Sequence, residues 1–88
     1  MFYEVNSYTK NDNHYIEVAV PGVDPKDIKL SYCAEESNVY LNNYVLSRHL
    51  YGKYYDLTAI KAELKHGLLK VTIPWKKHSR VEIPLTVA

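Results

Sequence analysis

Residues 62–75 read "AELKHGLLKVTIPW". Downstream of Gly67, Leu69, Val71 and Ile73 point one way and Leu68, Lys70 and Thr72 the other, the period-two alternation of a strand. Pro74 has no backbone donor and ends that pairing. Upstream the pattern is ambiguous. With the preceding "LTAIK", Thr58 can cap a helix, Ile60, Leu64 and Leu68 fall at helical spacing, and Gly67 can close it. Ile60, Ala62 and Leu64 also alternate with Lys61, Glu63 and Lys65 as in a strand, and His66-Gly67 then forms a tight hairpin turn. The local pattern leaves both readings open.

The rest of the chain favours strands. Nine tyrosines stand against one Phe and one Trp, and aromatic and branched side chains pack well on a pleated surface. "YIEVAV" places Ile16, Val18 and Val20 on one face, and "DIKLSY" does the same with Ile28, Leu30 and Tyr32. "FYEVNSY" and "NHYIEVAV" flank the polar cluster Lys10-Asn11-Asp12-Asn13, which predicts a hairpin. Pro21-Gly22 ends the second strand. In "VDPKDI", Asp24 is an N-cap, Pro25 the first helical residue and Asp27 a favourable first-turn charge, so one helical turn is expected. "VYLNN" resumes the strand pattern. "YVLSRHLYGKYYDL", with Tyr51, Lys53, Tyr55 and Leu57 on one face, reads as a long half-polar strand or a bent pair. The end, "SRVEIPLTVA", is extended, with Val81, Ile83, Leu85 and Val87 along one edge and Pro84 barring a central position in a sheet. These side chains need cover, on the chain's own sandwich as a last strand or on another copy.

Eighty-eight residues with 47% apolar side chains form one core. The body is expected over residues 1–75 and a C-terminal extension over 76–88, with "KKHSR" as the linker. A domain this small buries only about 60–65% of its unfolded surface, so association with further copies would help it. Cys33 is the single cysteine, which excludes an internal disulfide and a cysteine-based zinc set and fits a reducing compartment. The N-terminus has no secretory pattern and no apolar run spans a bilayer, so a soluble, cytoplasmic protein without a membrane partner is expected. Residues 1–44 carry 3 basic and 7 acidic side chains, and residues 45–88 carry 8 and 3. The positive charges are scattered rather than striped, so no nucleic-acid partner is expected.

Nothing reads as a catalytic, cofactor or metal site. His14, His49, His66 and His78 lie far apart and lack a second ligand at i+3 or i+4. Cys33 has no nucleophile signature around it. Asp24 and Asp27 flank Pro25 and are better explained by capping than as paired carboxylates, and three separated glycines make no phosphate loop.

Four segments together resemble one family. "VAVPGVDPKDIKL" followed by Ala62-x-Leu64-x-His66-Gly67-x-Leu69-x-Val71-x-x-Pro74 is similar to the α-crystallin domain of small heat-shock proteins, whose usual signature is A-x-L-x-N-G-x-L-x-V-x-x-P. "YGKYYDL" resembles the family's F-x-R-x-F-x-L strand, and "RVEI" its C-terminal I-x-I/V motif. The resemblance covers nearly the whole chain. It implies an all-β, immunoglobulin-like β-sandwich with a short extended tail, and makes "TAIKAEL" a strand and His66 the stand-in for asparagine in a turn with Gly67. It implies an ATP-independent holdase rather than an enzyme. The partners it implies are unfolding client proteins and further copies of the chain, in dimer building blocks that can assemble further.

In the family, the tail motif docks in a groove at the sandwich edge. By the resemblance the motif here is Val81 and Ile83, with Leu85 as an alternative partner of Ile83. The groove is expected between "DIKLSY" and "LLKVTI", lined by Ile28, Leu30, Leu69, Val71 and Ile73. Burying two aliphatic side chains contributes roughly 3–6 kcal/mol gross, before the cost of ordering the tail. Two departures stand out. Lys53 replaces the family's arginine, and its compact ammonium cannot form a guanidinium fork. Only a few residues separate "NVYLNN" from "YVLSRHL", so the loop that exchanges a strand in many bacterial and plant members is trimmed. A dimer edge along Arg48, Tyr51, Lys53 and Tyr55 is expected instead. A related sandwich, the CS-domain co-chaperone that binds a larger chaperone, is the alternative; it lacks the Ala-x-Leu-x-x-Gly-x-Leu pattern and the apolar tail.

Overall fold

The computed structural model describes residues 3–76 and 82–88. Among the described residues seven strands form two antiparallel sheets, an all-β sandwich of the expected class. The first sheet has the order β1-β2-β7-β6, from β1 (Val5–Lys10), β2 (Asn13–Ala19), β7 (Leu68–Pro74) and β6 (Lys61–Lys65). The second has the order β3-β4-β5, from β3 (Leu30–Cys33), β4 (Asn38–Leu41) and β5 (Tyr44–Ser47).

The hairpins are set by residues that tolerate positive φ. Asn11 and Asp12, with φ of 51° and 64°, join β1 to β2, and Lys10 pairs with Asn13. His66 and Gly67, with φ of 51° and 76°, join β6 to β7, and Lys65 pairs with Leu68. Two positive φ values in a two-residue loop match the right-handed twist of the flanking strands. The open choice over "TAIKAEL" is thereby resolved: its helical fragment shrinks to a 3₁₀ turn at Leu57–Ala59, and the remainder is β6. A strand there gains a ladder with β7 that a helix would forgo. The other 3₁₀ turn, Pro25–Asp27, is capped by Asp24, whose carboxylate accepts from the Lys26 N–H at 3.0 Å.

Inward-facing residues of the central strands make the core. Ile16 and Val18 of β2, Leu69, Val71 and Ile73 of β7, and Val39 and Leu41 of β4 are buried, joined by Val20, Leu46 and Leu50. At one side of the sandwich Tyr3 and Tyr44 meet edge-on at 5.1 Å, closing the gap between the sheets. The connection from β4 to β5 is the two-residue turn Asn42-Asn43, since Leu41 pairs with Tyr44. It has no room for an additional strand.

Neither the long strand nor the bent pair of strands expected over residues 44–57 forms. β5 stops at Ser47, His49 takes a φ of 63°, and the N–H groups of Tyr54 and Tyr55 donate to the Tyr51 carbonyl at 3.0 and 3.1 Å, folding the chain into a turn. Alternation over Tyr51, Lys53, Tyr55 and Leu57 is therefore not strand alternation. This segment must carry the chain from the second sheet back to β6 in the first, and a continuous strand cannot turn that corner.

Candidate docking groove and tail

The edges of the two sheets that face each other at β3 and β6 do not close. Between them lies a groove of about 290 Å³. Leu30, Ser31 and Tyr32 line it from β3, Lys61 and Ala62 from the start of β6, and Leu57 and Ile60 from the 3₁₀ turn and its C-cap. Val39 and Val71 form its floor. The Tyr32 hydroxyl donates to the Leu50 carbonyl at 2.6 Å, which fixes one wall. Apart from Ser31 and Lys61 the lining is aromatic or aliphatic, a surface suited to branched side chains rather than to ions.

This placement corrects the expected groove. Its second strand is β6, not β7. β7 lies between β2 and β6, so Leu69 and Ile73 are sealed in the core and Val71 reaches the groove only as floor. Alternation identified these as one face of one strand but could not distinguish a central strand from an edge strand. Leu30 lies in the lining of this groove, while Ile28 caps the 3₁₀ turn before β3 and packs half-buried on the core. Tyr32, Leu57, Ile60 and Ala62 were missed. The apolar half of the Ile60, Ala62, Leu64 alternation was the available signal.

In the tail, Ile83, Leu85 and Val87 are 86%, 88% and 87% exposed. Pro84 lies between the first two and removes one backbone donor. Val81, the other expected tail residue, lies outside the described residues, as does most of the expected linker, His78 included.

The residues of the expected dimer edge lie beside β5, which pairs only with β4 among the described residues. Arg48 and Lys53 are exposed and Tyr51 is 43% exposed, its hydroxyl 2.9 Å from His49 Nδ1. Lys53 Nζ lies 4.9 Å from the centre of the Tyr54 ring. Tyr55 turns away from this surface and stacks on Trp75 at 4.4 Å, and Tyr55 and Trp75 form an antiparallel bridge. His14 packs against Tyr55 edge-on at 6.2 Å, and desolvation holds its pKa below the ordinary 6.5. His66 is exposed in its turn. Among the described residues no three His, Cys, Asp or Glu side chains gather as a metal site would require, and no helix is long and apolar enough to cross a membrane.

No protein-family model matches this sequence, and no curated protein does. Solved structures do. A small heat-shock protein from Xylella fastidiosa, described as having a distinct high order structure, matches with a TM-score of 0.69 and 16% identity over 100% of this chain and 98% of that one. Heat shock protein 16.0 from Schizosaccharomyces pombe matches with a TM-score of 0.67 and 16% identity over 100% of this chain and 99% of that one. What likeness at this identity shows is architecture: two antiparallel sheets in the β-sandwich fold of the small heat-shock proteins.

Proposed function

We propose that this chain is an ATP-independent chaperone that holds unfolding proteins soluble and assembles through its tail. The observation that carries this reading is the coexistence in one chain of an apolar groove of about 290 Å³ and an apolar tail whose Ile83 and Leu85 are 86% and 88% exposed. Each surface is costly in water alone, and each complements the other. The tail of residues 76–88 leaves a sandwich body that ends at Trp75, and Ile83 and Leu85 enter the groove of another copy. Pro84 between them is compatible with an edge position, where one backbone donor is dispensable. Val81 belongs to the same alternating apolar series in the sequence.

Copies also pair along the free side of β5, with Arg48, Tyr51 and Lys53 flanking the contact. Lysine at position 53 makes that contact weaker than a guanidinium fork would. Client capture then uses apolar surface uncovered as tails leave their grooves, with no nucleotide in the cycle. The fold shared with small heat-shock proteins supports this reading.

The test is light scattering of a heat-labile client at increasing ratios of this protein, without ATP. Suppression of scattering is expected, together with an altered dose dependence for Ile83→Ala/Leu85→Ala. If the wild-type protein leaves client aggregation unchanged at every ratio, the holdase reading is wrong.

A further inference from the structure

One wall of the groove comes from no strand. Leu57 projects from the 3₁₀ turn at Leu57–Ala59, and that turn is braced from several directions. The Asp56 carboxylate accepts from the Thr58 N–H at 3.2 Å and from the Thr58 hydroxyl at 2.6 Å. The Asp56 N–H donates to the Pro74 carbonyl and the Lys76 N–H to the Tyr54 carbonyl, each at 2.8 Å. Tyr55 stacks on Trp75. These contacts lie outside the groove and fix the backbone that carries Leu57.

Behind Leu57 stands Gly52. A Cβ at position 52 would lie 3.3 Å from Leu57 Cδ1, tighter than ordinary van der Waals contact. Gly52 does not occupy the left-handed region, unlike Gly22 and Gly67. Its lack of a side chain therefore serves space, and the space it provides is where Leu57 sits.

We propose that Leu57, set by Gly52, is the specificity-determining wall of the docking groove. Its reach across the groove decides which tail side chains fit beside Leu30, Tyr32, Ile60 and Ala62. This rests on the reading that the groove receives the chain's own C-terminal tail. A side chain at position 52 presses on Leu57 and misplaces the wall without touching any other groove residue, so the effect of changing Gly52 depends on Leu57.

The test uses the 88-residue chain carrying Ile83→Ala/Leu85→Ala, whose own tail no longer competes, titrated with a fluorescent peptide of residues 79–88. Gly52→Ala is expected to weaken the peptide roughly tenfold, the scale of overpacking an apolar contact. In a Leu57→Val background the same change is expected to have less than a twofold effect, because the pressed methyl is gone. A second measurement does not depend on Gly52: a peptide with Leu85→Phe should bind the Leu57→Ala groove better than the natural peptide does, with the opposite preference in the parent. Binding by the parent with equal Gly52→Ala effects in both backgrounds, or with one peptide preference in both grooves, overturns the role of Leu57 alone. Absence of peptide binding to the parent overturns the docking reading itself, and the role of Leu57 with it.

Discussion

Gly67 carries two constraints at once. Its φ of 76° is one that L side chains rarely adopt, and a Cβ there would lie 3.4 Å from Pro21 Cα. Its carbonyl also accepts from the Val20 N–H at 2.7 Å, tying the β6–β7 turn to the end of β2. Gly67→Ala is therefore expected to lower stability by about 1–2 kcal/mol, read as a lower urea midpoint at unchanged slope. An unchanged midpoint would mean that the turn relaxes freely. His66-Gly67 was legible in the sequence because the turn depends on neighbouring backbone angles. The Pro21 contact was not, since it joins residues 46 positions apart. Leu69 and Ile73 show the same division. Their alternation placed them correctly on one face, but only the order β1-β2-β7-β6 shows that this face is core and that the edge belongs to β6.

Among the elements, the segment between β5 and β6 departs furthest from its sequence pattern, and it meets β2 through His14 and Tyr55. The His14 imidazole faces Thr9 Oγ1 at 3.5 Å and the Tyr55 ring at 6.2 Å. Desolvation, the one cause of its depressed pKa, disfavours the imidazolium in the folded state. The unfolded chain therefore binds this proton first as pH falls. The contribution of His14 to stability is complete above about 6.5, is lost as pH falls from there toward the folded value, and levels off below it. Glu36, held below its usual 4.5 chiefly by the Tyr40 hydroxyl, loses its contribution only at lower pH, so the two steps separate. Urea midpoints measured from pH 7.5 to 5.0 should fall for the wild type and stay flatter for His14→Gln. Parallel slopes in the two proteins would remove His14 as the origin.

At the scale of the molecule, the sandwich carries an apolar groove and exposed apolar residues near its C-terminus, and under the proposed docking the energetics of that pair set how copies associate. Two seated aliphatic side chains contribute roughly 3–6 kcal/mol gross, while joining two bodies costs an estimated 4 kcal/mol or more. A single docked tail is therefore close to balance. On the proposed reading, several tails within one particle would act at effective concentrations near millimolar and hold together what one tail cannot. Such a particle comes apart gradually on dilution instead of persisting to a sharp limit. Native mass followed over a hundredfold dilution should decline smoothly for the wild type and remain small throughout for Ile83→Ala/Leu85→Ala. Equal masses for the two proteins at every concentration would show that contacts other than the tail, the β5 edge first among them, carry the assembly.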